Sequence, residues 1–95
     1  MIGFSQGAAM AMLVPGARWV ALLSAIVPPH GSAPPPGADT RPSLHLYDPS
    51  EPHAELCRQA EGSYARPTVV HHAEGHAVPR AEEAVRALVR FVDEV

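Results

Sequence analysis

The 95 residues of this chain allow one domain at most, and a chain of this length buries only about 60 to 65% of the surface that its unfolded form exposes. Apolar residues make up 46% of the sequence, which excludes a disordered composition, while eleven prolines predict long irregular connections. The formal net charge is −3, and the seven basic residues are scattered arginines that form no basic patch, so nucleic acid is not an expected partner.

The first part of the chain predicts a strand, a helix, a second strand and a long loop. Met1-Ile2 reads as the end of a strand, and residues 6–14 as a helix so apolar that it should be buried on all sides, ended by Pro15-Gly16. Residues 19–24 form a short apolar run that is typical of a parallel strand covered on both faces. Residues 27–42 are rich in proline and predict a surface loop or lid.

The second part of the chain continues the alternation. It predicts strands at residues 43–47 and 67–71, with a helix at about 52–61 between them. A last helix is expected to begin at Pro79, since proline suits the first position of a helix. Its apolar residues at three- and four-residue spacing predict one face that packs on a sheet: Ala81, Ala84, Val85, Leu88, Val92 and Val95. The alternation favours an α/β fold with about three parallel strands and right-handed crossovers.

One motif at the start of the chain points to chemistry. Gly3-Phe4-Ser5-Gln6-Gly7 has the pattern of a nucleophile elbow, in which a serine lies on a strained turn between a strand and a helix. Gly3 and Gly7 are expected because the crowded turn leaves no room for side chains two positions from the serine. The alternative is an ordinary glycine-rich turn, since the motif by itself is short.

The loops after the later strands supply an acid and a histidine in the order that this chemistry needs. Asp48 and Glu51 follow the second complete strand, and His76 lies in the loop after the third. In open parallel sheets such loops gather at the carboxyl ends of the strands. A serine hydroxyl becomes a good nucleophile when an imidazole takes its proton and a carboxylate orients that imidazole.

Three blocks, at residues 3–9, 42–45 and 72–79, together resemble the FSH family of serine hydrolases within the α/β-hydrolase superfamily. The blocks occur in the order of that family and are spread over nearly the whole chain. Acyl-protein thioesterases and related carboxylesterases share the first block and a Gly-His near the end, and they are the alternative family. Either resemblance implies a small-molecule carboxylic ester or thioester as the substrate.

The resemblance also assigns roles to individual residues. It makes Ser5 the nucleophile and His76 the general base, and the backbone N–H of Gln6 would contribute to the oxyanion hole. The family pattern of a glycine, two residues and an aspartate places Asp48 at the glycine and Glu51 at the acid. Glu51 is therefore favoured as the acid, and Asp48 remains the alternative.

The other reactive side chains are expected to be structural. Glu74 replaces a glycine that is usual in the family, and as a third carboxylate it could compete for the His76 imidazole. Cys57 lies in a helical stretch where a buried, inert thiol is the usual case. The remaining histidines lack the spacing of a zinc site, so neither a metal nor a cofactor is expected: His30, His45, His53, His71 and His72.

The resemblance implies further that the chain is the C-terminal half of an α/β-hydrolase fold, from a truncated gene or a start codon placed too late. The expected consequences are a missing second oxyanion-hole donor, weak or absent turnover, and an open sheet edge. That edge suggests self-association, and a catalytically inactive remnant that acts as an interaction module is the alternative function.

Sequence signals of location are few. The single cysteine excludes an internal disulfide and fits a reducing compartment, so a cytoplasmic protein is expected. The apolar run in the first 27 residues is interrupted by Pro15, Gly16 and Arg18, so neither a membrane span nor a secretory signal is expected there.

Overall fold

Four short strands form one parallel sheet in the computed structural model, which describes residues 1–26 and 35–95. The strands are β1 (Ile2–Phe4), β2 (Val20–Leu23), β3 (Ser43–Tyr47) and β4 (Pro67–His71). They lie side by side in chain order, and each pair of neighbours is parallel. The predicted α/β fold with a parallel sheet is confirmed, and the short segment at the start of the chain adds a strand to the three that were predicted in full.

Three helices cover the two faces of this sheet. They are α1 (Gln6–Met12), α2 (Ala54–Gly62) and α3 (Glu82–Glu94). Strand β2 is buried along its whole length, and its side chains alternate between two apolar clusters. Val20 and Leu22 pack with residues of α1 and α2, whereas Ala21 and Leu23 pack with residues of α3. The molecule therefore has three layers, with α1 and α2 on one face and α3 on the other.

Helix α1 is shorter and less buried than predicted. It ends at Met12, and the next two N–H groups, of Leu13 and Val14, reach back three residues to close a tight last turn. Met10 is 64% exposed, so the helix is buried along one face and open on the other. The expectation of a helix buried on all sides is wrong for the described part of the chain.

Helix α3 begins three residues later than predicted and uses a different face. Its N-cap is Ala81, whose backbone is extended, so Pro79 lies in the preceding loop. The sheet contacts are made by Ala84, Leu88 and Phe91. The predicted face was wrong at four of its residues, which are exposed: Ala81, Val85, Val92 and Val95.

The proline-rich loop predicted for residues 27–42 lies partly outside the described residues, and His30 lies outside them. Its described end is anchored to α2, because the N–H of Gly37 donates to the carbonyl of Gly62 at 2.8 Å. Within the described part of the chain, none of the helices combines the length and the apolar character that a membrane crossing requires.

Candidate active site

The predicted site residues meet at one edge of the sheet. Ser5 follows β1, Glu51 lies in the turn after β3, and His76 lies in the loop after β4. Because the strands are parallel, all three segments leave the sheet at the carboxyl ends of their strands.

Ser5 lies on a strained turn between β1 and α1. Its backbone has φ 56° and ψ −118°, a conformation that residues with a side chain seldom adopt. The turn is fixed on both sides: the N–H of Ser5 donates to the carbonyl of Leu23, and its carbonyl accepts from Ala8 and Ala9. These are the features of a nucleophile elbow.

The two glycines of the motif differ in how much space their surroundings leave for a side chain. A Cβ on Gly3 would lie 2.5 Å from the carbonyl oxygen of Gly7, so the close approach of α1 to β1 requires glycine there. A Cβ on Gly7 would meet no described atom within 4 Å. The crowding predicted at Gly7 is therefore absent from the described part of the chain.

Ser5, His76 and Glu51 form a chain of hydrogen bonds. The Ser5 Oγ lies 2.9 Å from the Nε2 of His76, and the Nδ1 of His76 lies 3.0 Å from the Oε2 of Glu51. The Glu51 carboxylate only accepts hydrogen bonds, so the Nδ1 of His76 carries the proton and its Nε2 can accept from the Ser5 hydroxyl. The Glu51 side chain is fully buried and that of His76 is 30% exposed, so the imidazole lies between the interior and the solvent.

Asp48 does not contact the imidazole in the structure. Its Oδ1 accepts from the N–H of Ser50 at 2.8 Å and from the Ser50 hydroxyl at 2.7 Å. Its Oδ2 accepts from the N–H of Gly75 at 2.9 Å. The hydrogen bonds from Ser50 and Gly75 hold the pKa of the Asp48 carboxyl below its usual value. Of the two candidate acids, Glu51 is the one that meets His76.

Glu74 does not compete for the imidazole either. Its carboxylate accepts from the N–H of Arg80 at 2.9 Å and from that of Ala81 at 3.0 Å, in the segment just before α3. These two hydrogen bonds lower the pKa of Glu74. They also tie the loop after β4 to the segment just ahead of α3.

Two aromatic rings beside His76 were not predicted as part of the site. The rings of Phe4 and His76 lie 5.3 Å apart, and the ring of His53 lies edge-on to His76 at 5.5 Å. Phe4 precedes Ser5 in the motif, and His53 lies two residues after Glu51. Their closeness in sequence to predicted site residues could have indicated that they lie beside the site. Both rings restrict how the His76 imidazole can turn.

Gln6 lies where an oxyanion-hole donor is expected. It directly follows Ser5 and is the first residue of α1, so its N–H has no acceptor within the helix.

The remaining reactive side chains are held in structural contacts. His45 is buried in β3 beside Ser43, and burial lowers its pKa to about 4. The buried Cys57 thiol donates to the carbonyl of Ala25, and burial raises its pKa to about 12, which agrees with the predicted inert thiol. His71 packs edge-on against Tyr47. Among residues 1–26 and 35–95, no group of three or more metal-ligating side chains is placed to hold a metal ion.

Comparisons with known proteins relate the chain to esterases. It is 31% identical over 114 aligned residues to the esterase OVCA2 of Bos taurus, and the alignment covers 99% of this chain and 48% of that protein. A carboxylesterase of Bacillus cereus has a similar structure, with a TM-score of 0.63 and 21% identity over 99% of this chain and 49% of that one. No family model matches the chain. The chain thus spans about half the length of both proteins, is related to an esterase, and has the fold of the corresponding part of a carboxylesterase.

Proposed function

We propose that this chain is the catalytic part of a serine esterase, in which Ser5, His76 and Glu51 act as nucleophile, base and acid. The observation that carries the proposal is the pair of contacts made by His76, at 2.9 Å to Ser5 and at 3.0 Å to Glu51. Nucleophile, base and orienting acid within hydrogen-bond reach are the signature of an activated serine. The relation to an esterase supports the same reaction class.

The proposed reaction proceeds through an acyl-enzyme. The Ser5 oxygen bonds to the carbonyl carbon of the substrate as His76 takes its proton, and the N–H of Gln6 stabilises the oxyanion. The alcohol or thiol then leaves with the proton from His76. Water, deprotonated by the same imidazole, releases the acid and restores Ser5, while Glu51 stabilises the charged imidazole throughout.

The family and the substrate class are part of the proposal. We assign the chain to the FSH-like hydrolases on the three sequence blocks, with carboxylic esters or thioesters as substrates. Acyl-protein thioesterase-like activity would instead give faster turnover of long-chain acyl thioesters than of short esters. We expect these 95 residues tested alone to turn over slowly, because the resemblance places the second oxyanion donor in a loop ahead of the elbow.

The proposal is tested by labelling the purified chain with a fluorophosphonate probe and mapping the modified peptide. We expect modification at Ser5, none in Ser5→Ala, and a labelling rate at least about 100-fold lower in His76→Ala, since a positioned base contributes 10² or more. His71→Ala is the matched control, because this exposed histidine packs on Tyr47 and should leave labelling unchanged. Modification at another residue, or equal rates with and without His76, would contradict the proposal.

One exposed edge of the described sheet, that of β1, favours a second candidate function, that of an interaction module. Strand β1 pairs on one side with β2, and Ile2 on this strand is 53% exposed. An uncovered strand edge is a template for pairing with another chain. A discrete dimer in size-exclusion chromatography with light scattering, together with no reaction at Ser5, would favour this function over the esterase.

A further inference from the structure

Asp48 contacts both loops of the candidate site without touching the imidazole. One carboxylate oxygen accepts from the N–H and the hydroxyl of Ser50, and the other accepts from the N–H of Gly75. Ser50 directly precedes Glu51, and Gly75 directly precedes His76. A single carboxylate therefore fixes the residue before the proposed acid and the residue before the proposed base.

We propose that Asp48 is a positioning residue that joins the Glu51 turn to the His76 loop and so holds the imidazole and its acid in register. The proposal rests on the proposed function, because it concerns the same reaction. The proposal goes beyond that function, because Asp48 acts through the two backbone segments and not as the alternative acid.

The geometry explains why a carboxylate suits this position. The three donors approach two different oxygens from two segments that are 25 residues apart in the chain. The turn has its own closing bond, from the N–H of Glu51 to the carbonyl of Asp48 at 3.1 Å, but that bond does not reach the His76 loop. The segments also meet where the N–H of His72 donates to the carbonyl of Tyr47 at 3.1 Å and where the His53 ring packs on His76. Asp48 adds a hydrogen bond to the backbone of the residue directly before His76.

The loop that carries His76 needs a contact that holds it to the Glu51 turn. Gly75 has φ 71°, a conformation that glycine adopts freely, and its carbonyl accepts from the N–H of Ala77 at 3.0 Å across His76. That bond closes the turn locally but does not tie it to the Glu51 turn. The hydrogen bond to Asp48 supplies that restraint. The lowered pKa of Asp48 fits this role, since the ionised form accepts all three hydrogen bonds at neutral pH.

Asp48→Asn tests the link between the two loops. The amide keeps one acceptor oxygen and cannot accept from both Ser50 and Gly75, so one end of the link is lost while the side-chain volume is preserved. We expect the rate of Ser5 labelling to fall by roughly tenfold or more, since small misplacements of reacting groups have large effects on rate. Asp93→Asn is the matched control, because it removes the same charge from an exposed position on α3.

A spectroscopic readout distinguishes positioning from a general loss of structure. The proton on Nδ1 of His76 should give a low-field NMR signal in the wild-type chain, because a hydrogen bond to the buried Glu51 slows its exchange. We expect this signal to be lost in Asp48→Asn while the circular dichroism spectrum stays that of the folded chain, and to be kept in Asp93→Asn. An unchanged signal and an unchanged labelling rate in Asp48→Asn would overturn the proposal.

If Asp48→Asn does not fold, hydrogen–deuterium exchange in the wild-type chain tests the positioning role of Asp48. The Gly75 amide should exchange with deuterium far more slowly than the intrinsic rate for its sequence, and exchange at the intrinsic rate would overturn the proposal. The failure of the proposed function looks different: Ser5 in the wild type would not react at all, while the low-field signal and the Gly75 exchange would still report on Asp48.

Discussion

The buried histidine of β3 makes the stability of the protein depend on pH. His45 is 2% exposed, its Nε2 lies 2.8 Å from the Ser43 hydroxyl, and its ring packs near that of Tyr64. Burial disfavours the charged imidazole and lowers its pKa from 6.5 to about 4. Between these two values the unfolded chain binds a proton at this residue and the folded chain does not.

We therefore expect the free energy of unfolding to fall as the pH drops from about 6.5 to 4, by up to about 1.4 kcal/mol per pH unit from His45. His45→Gln does not titrate and can still reach the Ser43 hydroxyl, so it should show a smaller slope. Urea unfolding at pH 7, 6 and 5 measures both slopes. Parallel slopes for the two chains would show that His45 does not carry the effect.

Single residues also show how far the sequence could predict the site. The order of a serine, an acid and a histidine along the chain indicated that such side chains should meet, and the family pattern favoured Glu51 over Asp48 as the acid. The structure places Ser5, His76 and Glu51 in contact, and their catalytic roles stay a prediction. Asp48 and Glu74 were candidates for contact with His76 too, but the contacts they make instead could not be predicted from the sequence. Both accept from backbone N–H groups, and the direction of those groups depends on the folded loops and not on a residue pattern.

Helix α1 depends on a side chain far away in the sequence. With seven residues it is too short to be stable alone, and the Arg41 guanidinium donates to the carbonyls of Val14 at 2.7 Å and Met12 at 3.1 Å, at its C-terminal end. Asp39 holds that guanidinium in place through an ion pair at 2.7 Å. Both charged groups are largely buried, so solvent can replace these bonds only in part.

Arg41→Met should therefore lower the free energy of unfolding by about 2 kcal/mol, since hydrogen bonds to charged groups contribute about 1.5 to 3. Arg58→Met is the matched control. Its ion pair with Glu55 is exposed, and the expected change is within about 0.5 kcal/mol. Urea denaturation at neutral pH compares the two, and equal losses would mean that Arg41 has no special role in stabilising α1.

Helix α3 shows why its buried face could not be predicted from spacing. Val85, Val89 and Val92 follow one another at intervals of four and three residues, as do Ala84, Leu88 and Phe91. The periodicity is the same for both stripes. The second stripe is buried because Phe91 packs edge-on against the ring of Trp19, at 5.8 Å, and that contact depends on the placement of β2. The strands were easier to predict, since β2 is a continuous apolar run and β4 is rich in β-branched residues.

At the scale of the whole molecule, β1 forms one edge of the described sheet and β4 forms the other. Met1 and Ser5 bond to β2 through their backbone groups, so the alternating pattern directs the N–H and carbonyl groups of Ile2 and Phe4 to the other side. We expect the chain to associate through this edge as its concentration rises. Ile2→Lys should shift it towards the monomer in light scattering, because a charge on an edge strand opposes pairing.

Val89→Lys is the control for this experiment. It places the same charge on an exposed valine of α3, away from the sheet edge, and should leave the association unchanged. A monomer in Val89→Lys but not in Ile2→Lys would assign the contact to the helix.

The strand order has a consequence for how the protein is made. Because β1, β2, β3 and β4 lie in chain order, each strand pairs with the one that leaves the ribosome just before it. The hydrogen bond between Ser5 and His76 is different, since it spans 71 residues. The serine is therefore translated 71 residues ahead of its partner, and the reactive centre stays incomplete until His76 has left the ribosome.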